Sequence, residues 1–214
     1  MSRLLVLFGA LTLCTSVQAS TVLFDNTFLF PDGQDLVASV GPLYDSFSTG
    51  ANSGFLSNAE FLLSGDATSS GSISVDLYTD SGILSDMGAS TVGSFIINLG
   101  TIADSQLSAV PSVVAVNLVS NPALAPNTRY WIGLTGPNST AGWAWTLDTT
   151  SAGIGSENEF FQNTFDSFPN SDGGYQMEVE VSSASSNTPE PASLLLSGVA
   201  LVTCSIALRR RARR

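Results

Sequence analysis

Between residues 20 and 188 the apolar positions recur every second residue rather than every third or fourth. Ser72-Ile73-Ser74-Val75-Asp76-Leu77-Tyr78 alternates cleanly. Arg129-Tyr130-Trp131-Ile132-Gly133-Leu134 puts Tyr130, Ile132 and Leu134 on one face and Trp131 on the other. Tyr175-Gln176-Met177-Glu178-Val179-Glu180-Val181 has apolar odd positions and polar even ones. Each pattern predicts a half-buried strand. Further strands are expected within 22–30, 44–47, 55–63, 93–99, 113–119 and 142–147. Turn signals separate them: Asp32-Gly33, Ser64-Gly65-Asp66, Asp80-Ser81-Gly82, Pro126-Asn127, Gly136-Pro137-Asn138 and Asp172-Gly173-Gly174. No long helical period and no internal repeat interrupts this region. Many short strands at such spacing predict an all-β fold, an antiparallel β-sandwich with jelly-roll-like winding.

The two ends follow a different pattern. Met1-Ser2-Arg3 is a short positive segment, and residues 4–13 form an apolar run. Val17-Gln18-Ala19 places compact residues before Ser20, which predicts a cleavable signal peptide with the cut between Ala19 and Ser20. At the other end, residues 192–208 are uncharged and mostly apolar. At about 1.5 Å per residue they make roughly 25 Å of helix, near the lower limit for spanning a bilayer. Arg209, Arg210, Arg211, Arg213 and Arg214 follow at once. Such a cluster stays cytoplasmic, so the expected transmembrane helix runs from outside to inside and stops on those arginines. Thr188-Pro189-Glu190-Pro191 precedes it. Two prolines fix φ and remove two backbone donors, so an extended, accessible stalk is expected at the membrane face.

The order Pro189-Glu190-Pro191, apolar helix, arginine cluster resembles the PEP-CTERM sorting signal of Gram-negative bacteria. That resemblance implies recognition by an exosortase, a membrane-embedded cysteine protease or transpeptidase. Export would come first, through the Sec translocon and signal peptidase. The protein would then be anchored transiently in the inner membrane, and afterwards passed to the outer surface or the extracellular matrix. A second resemblance lies further upstream. Asn117-Leu118, Leu124-Ala125-Pro126-Asn127-Thr128-Arg129-Tyr130-Trp131-Ile132-Gly133-Leu134, Gly142-Trp143-Ala144-Trp145-Thr146 and Tyr175-Gln176-Met177-Glu178-Val179 are similar to blocks of the choice-of-anchor R domain. This implies surface display and carries no known activity. The expected organisation is therefore signal peptide 1–19, β-sandwich 20–181, polar linker 182–188 and sorting signal 189–214.

Composition narrows the chemistry. The 214 residues hold no His, and all seven basic residues are Arg. Ser-His-Asp and Cys-His catalytic sets, His-ligated metals, P-loops and lysine nucleophiles are excluded. The whole chain carries −11, but residues 20–188 hold seventeen acidic residues against Arg129 alone, a net −16. Nucleic acid and anionic lipid surfaces would repel that domain. Neutral glycans, cationic surfaces, or anionic polymers bridged by divalent cations remain as partners, beside plain solubility. The two cysteines, Cys14 and Cys204, both fall in the removable ends, so the mature domain relies on its core rather than on disulfides.

Candidate sites are few. Trp143 and Trp145 share a face in a strand, and with Trp131 they could either stack on sugar rings or fill the core. The acidic loops 80–86 and 166–172 offer oxygens for Ca²⁺, but neither follows a known calcium pattern, and solvated loop charge is the better explanation. Arg129 is expected in a surface pair or on an acidic ligand. Glu157 and Glu159 are the closest acidic pair, but two residues apart in a polar loop they suit a glycosidase poorly. The expected reading is a non-catalytic structural or interaction protein, with polysaccharide binding as its alternative.

Overall fold

The computed structural model describes residues 20–155, 159–169 and 174–183. The compact β unit extends through Ser183. Its strands in chain order are β1 (Ser20–Asp25), β2 (Gly33–Leu36), β3 (Leu43–Ser48), β4 (Gly54–Ser64), β5 (Ser72–Leu84), β6 (Ser90–Ala103) and β7 (Ser112–Ala115). Then come β8 (Ala123–Leu124), β9 (Arg129–Thr135), β10 (Gly142–Thr146), β11 (Phe160–Gln162), β12 (Ser167–Pro169), β13 (Gly174–Tyr175) and β14 (Met177–Ser182). One helical turn, α1 (Val37–Val40), follows β2. Sheet 1 runs β1-β14-β4-β10-β13, with β2 beside β10 and β7 and β8 beside β4. Sheet 2 runs β12-β11-β3-β9-β5-β6. The named strand pairs are antiparallel, so the two sheets form the expected β-sandwich.

Alternation builds the core between them. Leu56, Ala59, Phe61 and Leu63 of β4 and Met177, Val179 and Val181 of β14 point inward from sheet 1. Leu43 and Phe47 of β3, Ile132 and Leu134 of β9, and Ile73, Val75 and Leu77 of β5 meet them from sheet 2. Every one of these is essentially buried, which places the hydrophobic driving force of a Cys-free domain in one contiguous layer.

Several boundaries differ from the periodicity. The strand expected over 22–30 stops at Asp25, because Asp25 Oδ1 accepts Thr27 N at 2.8 Å and Thr27 Oγ1 at 2.7 Å, turning the chain. Gly33 opens β2 instead of sitting in a turn; its hydrogen lies against the Trp145 ring, where a Cβ would approach to 2.3 Å. The strand expected over 113–119 is only Ser112–Ala115. The strand at 175–181 is broken at Gln176, whose Nε2 donates to Asn26 O (3.0 Å) and Leu29 O (2.9 Å). Ser182 belongs to β14 rather than to the linker, pairing with Ser20 and Phe55.

The largest departure is at Asp80-Ser81-Gly82, expected as a turn. Here β5 continues to Leu84 and the reversal comes at residues 85–89. The β5–β6 ladder slips register between Val75 and Asp76, Leu77 and Tyr78, Tyr78 and Asp80, and Asp80 and Leu84. Each slip bends and twists the hairpin. Its distal half thereby folds across the outer face of sheet 2 as an arm. Val92 N donates to Gln162 Oε1 at 3.0 Å, Ser85 Oγ to Ser167 O at 2.8 Å, and Ser167 Oγ to Ser90 O.

Candidate functional site

The three tryptophans occupy three different environments. Trp143 is fully buried in the core, stacked on Tyr175 with centroids 4.8 Å apart and edge-on to Phe61 at 5.5 Å. Its Nε1 donates to Gln176 O at 2.9 Å. Trp145, on the same strand face, is partly buried against that core. Trp131 lies on the opposite face of β9 from Tyr130 and Ile132, yet it too is fully buried, because the hairpin arm covers it. Its Nε1 donates to Asp80 Oδ1 at 2.8 Å, an oxygen that also accepts Ser90 Oγ at 2.6 Å. Of the two alternatives, stacking on sugars or filling the interior, Trp131 and Trp143 take the second: both rings are fully buried.

The acidic residues are also rearranged. Glu159 is buried, not looped out in solvent as expected. Its Oε1 accepts Ser48 N at 3.2 Å and its Oε2 accepts Ser46 Oγ at 3.4 Å. Burial pushes its carboxyl up to about 8, against the opposing pull of the Arg129 guanidinium. Asp45 is completely buried on the inner face of β3; its Oδ1 accepts Ser46 N at 2.8 Å while its Oδ2 has no hydrogen-bond partner. Desolvation holds Asp45 well above the usual carboxylate range, and the Glu159 charge adds to the effect. Arg129 lies beside this cluster: its charge acts on Glu159, and its guanidinium is 4.3 Å from the Phe160 ring centroid. The sequence signal for this burial is Asp45's place on the period-two apolar face of Leu43-Tyr44-Asp45-Ser46-Phe47. Glu157 lies outside the described residues.

Of the two proposed calcium loops, Asp80 is committed to Trp131, Ser90 and Gly82 N. Asp166 accepts Ser167 N at 2.7 Å. Asp172 lies outside the described residues. Among the described residues no group of three acidic, His or Cys side chains is placed to hold a metal ion.

A further group emerges on the outer face of sheet 2, which the periodicity did not single out. Tyr44, Gly133, Asp76 and Asn98 are register partners across β3, β9, β5 and β6. In the adjacent row Ser46, Trp131, Tyr78 and Phe95 are partners. The rings of Tyr44 and Tyr78 meet edge-to-face at 5.3 Å, and those of Tyr78 and Phe95 at 5.8 Å. The missing side chain at Gly133 makes room for them: a Cβ there would come within 2.6 Å of Tyr44 and 2.8 Å of Tyr78.

The sorting residues Pro189, Glu190 and Pro191, the arginines Arg209, Arg210, Arg211, Arg213 and Arg214, the expected transmembrane segment 192–208 and Ala19 all lie outside the described residues. Among the described residues no helix is long and apolar enough to cross a membrane. Ser20 is described: it opens β1 opposite Ser182, and its Oγ donates to Glu180 Oε2 at 2.7 Å.

Downstream of the β unit, which extends through Ser183, the chain carries a C-terminal sorting sequence. Residues 187–211 match the family model of the PEP-CTERM protein-sorting motif. The chain thus carries the motif of exosortase-targeted exported proteins, anchored transiently by the C-terminus before processing. No curated protein matches the chain.

Proposed function

We propose that this is an exported structural or interaction protein whose β-sandwich, related to the choice-of-anchor R domain and wound like a jelly roll, works at the outer surface or in the extracellular matrix. Export uses the signal peptide, cut between Ala19 and Ser20. An exosortase then cuts near Pro189-Glu190-Pro191 and releases the domain from the helix and arginine cluster. The observation that carries this reading is the sorting motif at 187–211, immediately downstream of a folded unit that ends at Ser183.

The proposed role is non-catalytic. The two carboxyl groups with the most strongly raised proton affinity, Asp45 and Glu159, are sealed from solvent, where a glycosidic substrate does not reach them. The polysaccharide alternative keeps its charge argument but loses two of the rings first considered for it.

Fractionation of the producing cells tests the sorting step. The Pro189→Ala/Glu190→Ala double variant is expected to accumulate in the inner membrane while the wild type leaves it. Release of the double variant at the wild-type rate would overturn the assignment.

A further inference from the structure

The outer face of sheet 2 places an aromatic strip beside a polar line. Phe95 is 58% exposed, although it lies in the middle of a long strand with polar neighbours available in sequence. Tyr78 and Tyr44 continue its aromatic line back across the sheet. From β3 to β6 the strip crosses three strand spacings, roughly 14 Å. Beside it runs a polar line. Asn98 Nδ2 donates to Asp76 Oδ1 at 2.7 Å and to Ser74 Oγ at 2.8 Å, and Ser74 Oγ donates to Asp76 Oδ2 at 3.1 Å. Thr135 and Thr101 flank Ser74 in the next row.

This pairing of rings with a carboxylate–amide–hydroxyl line selects among ligands. An apolar protein surface laid on the rings would bury Asp76 beside them, at the cost of a desolvated charge. An anionic polymer meets no cation here, since Arg129 is the one basic residue of 20–188 and lies over Phe160 in a different part of the sheet. A sugar ring satisfies both lines at once. Its C–H face packs on an aromatic ring, and its hydroxyls donate to the Asp76 carboxylate, whose oxygens keep acceptor capacity beyond the bonds from Asn98 Nδ2 and Ser74 Oγ.

We propose that the face formed by Tyr44, Tyr78, Phe95, Asp76 and Asn98 binds a neutral polysaccharide chain. This rests on the reading of the domain as an interaction module, and gives that module its ligand class. The close approach of Tyr44 and Tyr78 over Gly133 presets the strip, so little ordering is required on binding.

The test uses the full chain purified in a nonionic detergent without a sugar headgroup. Native gels contain dextran, xylan, glucomannan, or the neutral polysaccharide fraction of the producing cells' own matrix. Wild type is expected to be retarded in at least one of these, and to remain so in molar salt. Phe95→Ala should weaken that retardation about tenfold, the loss of one stacked ring. Phe30→Ala, which removes an 85% exposed ring from the groove lined by residues 30–34 and 109–111, should leave it unchanged. Absence of retardation in all four polymers overturns the proposal. So does retardation that Phe95→Ala leaves intact or that Phe30→Ala abolishes. Because the full chain is used, the result is independent of whether the tail is processed. A failure of sorting appears only in fractionation.

Discussion

Glu159 illustrates how a single residue couples this fold to pH. Its folded carboxyl titrates near 8, against 4.5 for an ordinary glutamate, chiefly through burial. A raised acid pKa means that the folded state holds the proton more tightly than the unfolded chain does. The associated stability is complete below about 4.5 and is lost as pH rises through about 8. Asp45 shifts in the same direction. The protein should therefore show a higher urea midpoint at pH 5 than at pH 9. Glu159→Gln should flatten that dependence and gain about 1–3 kcal/mol at pH 9, where the wild type must ionise in a dry site. An unchanged slope in the variant would show that Glu159 does not carry the effect. Gly133 makes a second residue-scale case. Alanine ordinarily stabilises a strand relative to glycine. Here the added Cβ would strike the Tyr44 and Tyr78 rings, so Gly133→Ala should lower stability by about 1–3 kcal/mol in the same urea titration.

Among elements, the β5–β6 hairpin decides what is buried. The alternation at 72–78 was readable, because Ile73, Val75 and Leu77 must all enter the core. The continuation beyond Tyr78 was not. Asp80-Ser81-Gly82 has the composition of a turn, and only the bulges, Gly82 at φ +68° and the contacts to Gln162 and Ser167 carry the strand through it. These are long-range partners with no local signature. The same gap hid the burial of Trp131: its face was legible from period two, but the arm that covers that face is contributed by residues 80–92. The candidate strip was legible only in part, as Tyr78 in an alternating run, since its partnership with Tyr44 and Phe95 depends on strand order. Asp80 is the arm's fastening point. Asp80→Ala leaves the indole N–H of Trp131 without its acceptor and frees Ser90 Oγ, at a cost of about 1–3 kcal/mol. Iodide or acrylamide quenching of tryptophan fluorescence should rise in this variant while far-UV circular dichroism stays that of a β protein. Unchanged quenching would mean that the arm is held without Asp80.

At the scale of the whole molecule, the proposed processing would change charge more than fold. Ser20 pairs with Ser182 across β1 and β14, so the expected cuts before Ser20 and near Pro189-Glu190-Pro191 both fall outside the strand ladder. Neither cut removes a core residue among those described. The expected cuts would remove cationic ends, Arg3 and the five arginines of 209–214, and leave residues 20–188 at −16 with Arg129 alone. The released protein should then elute later from an anion exchanger than the full chain, yet have the same unfolding free energy in urea to within about 0.5 kcal/mol. Intact mass measured on the membrane and extracellular fractions of the producing cells decides the assignment behind this. A chain from Ser20 to between Pro189 and Pro191, found outside the cells, is the expected product. A chain retaining residues 192–214 in the membrane would instead make the tail a permanent anchor, and would place the acidic sandwich on the outer face of the inner membrane.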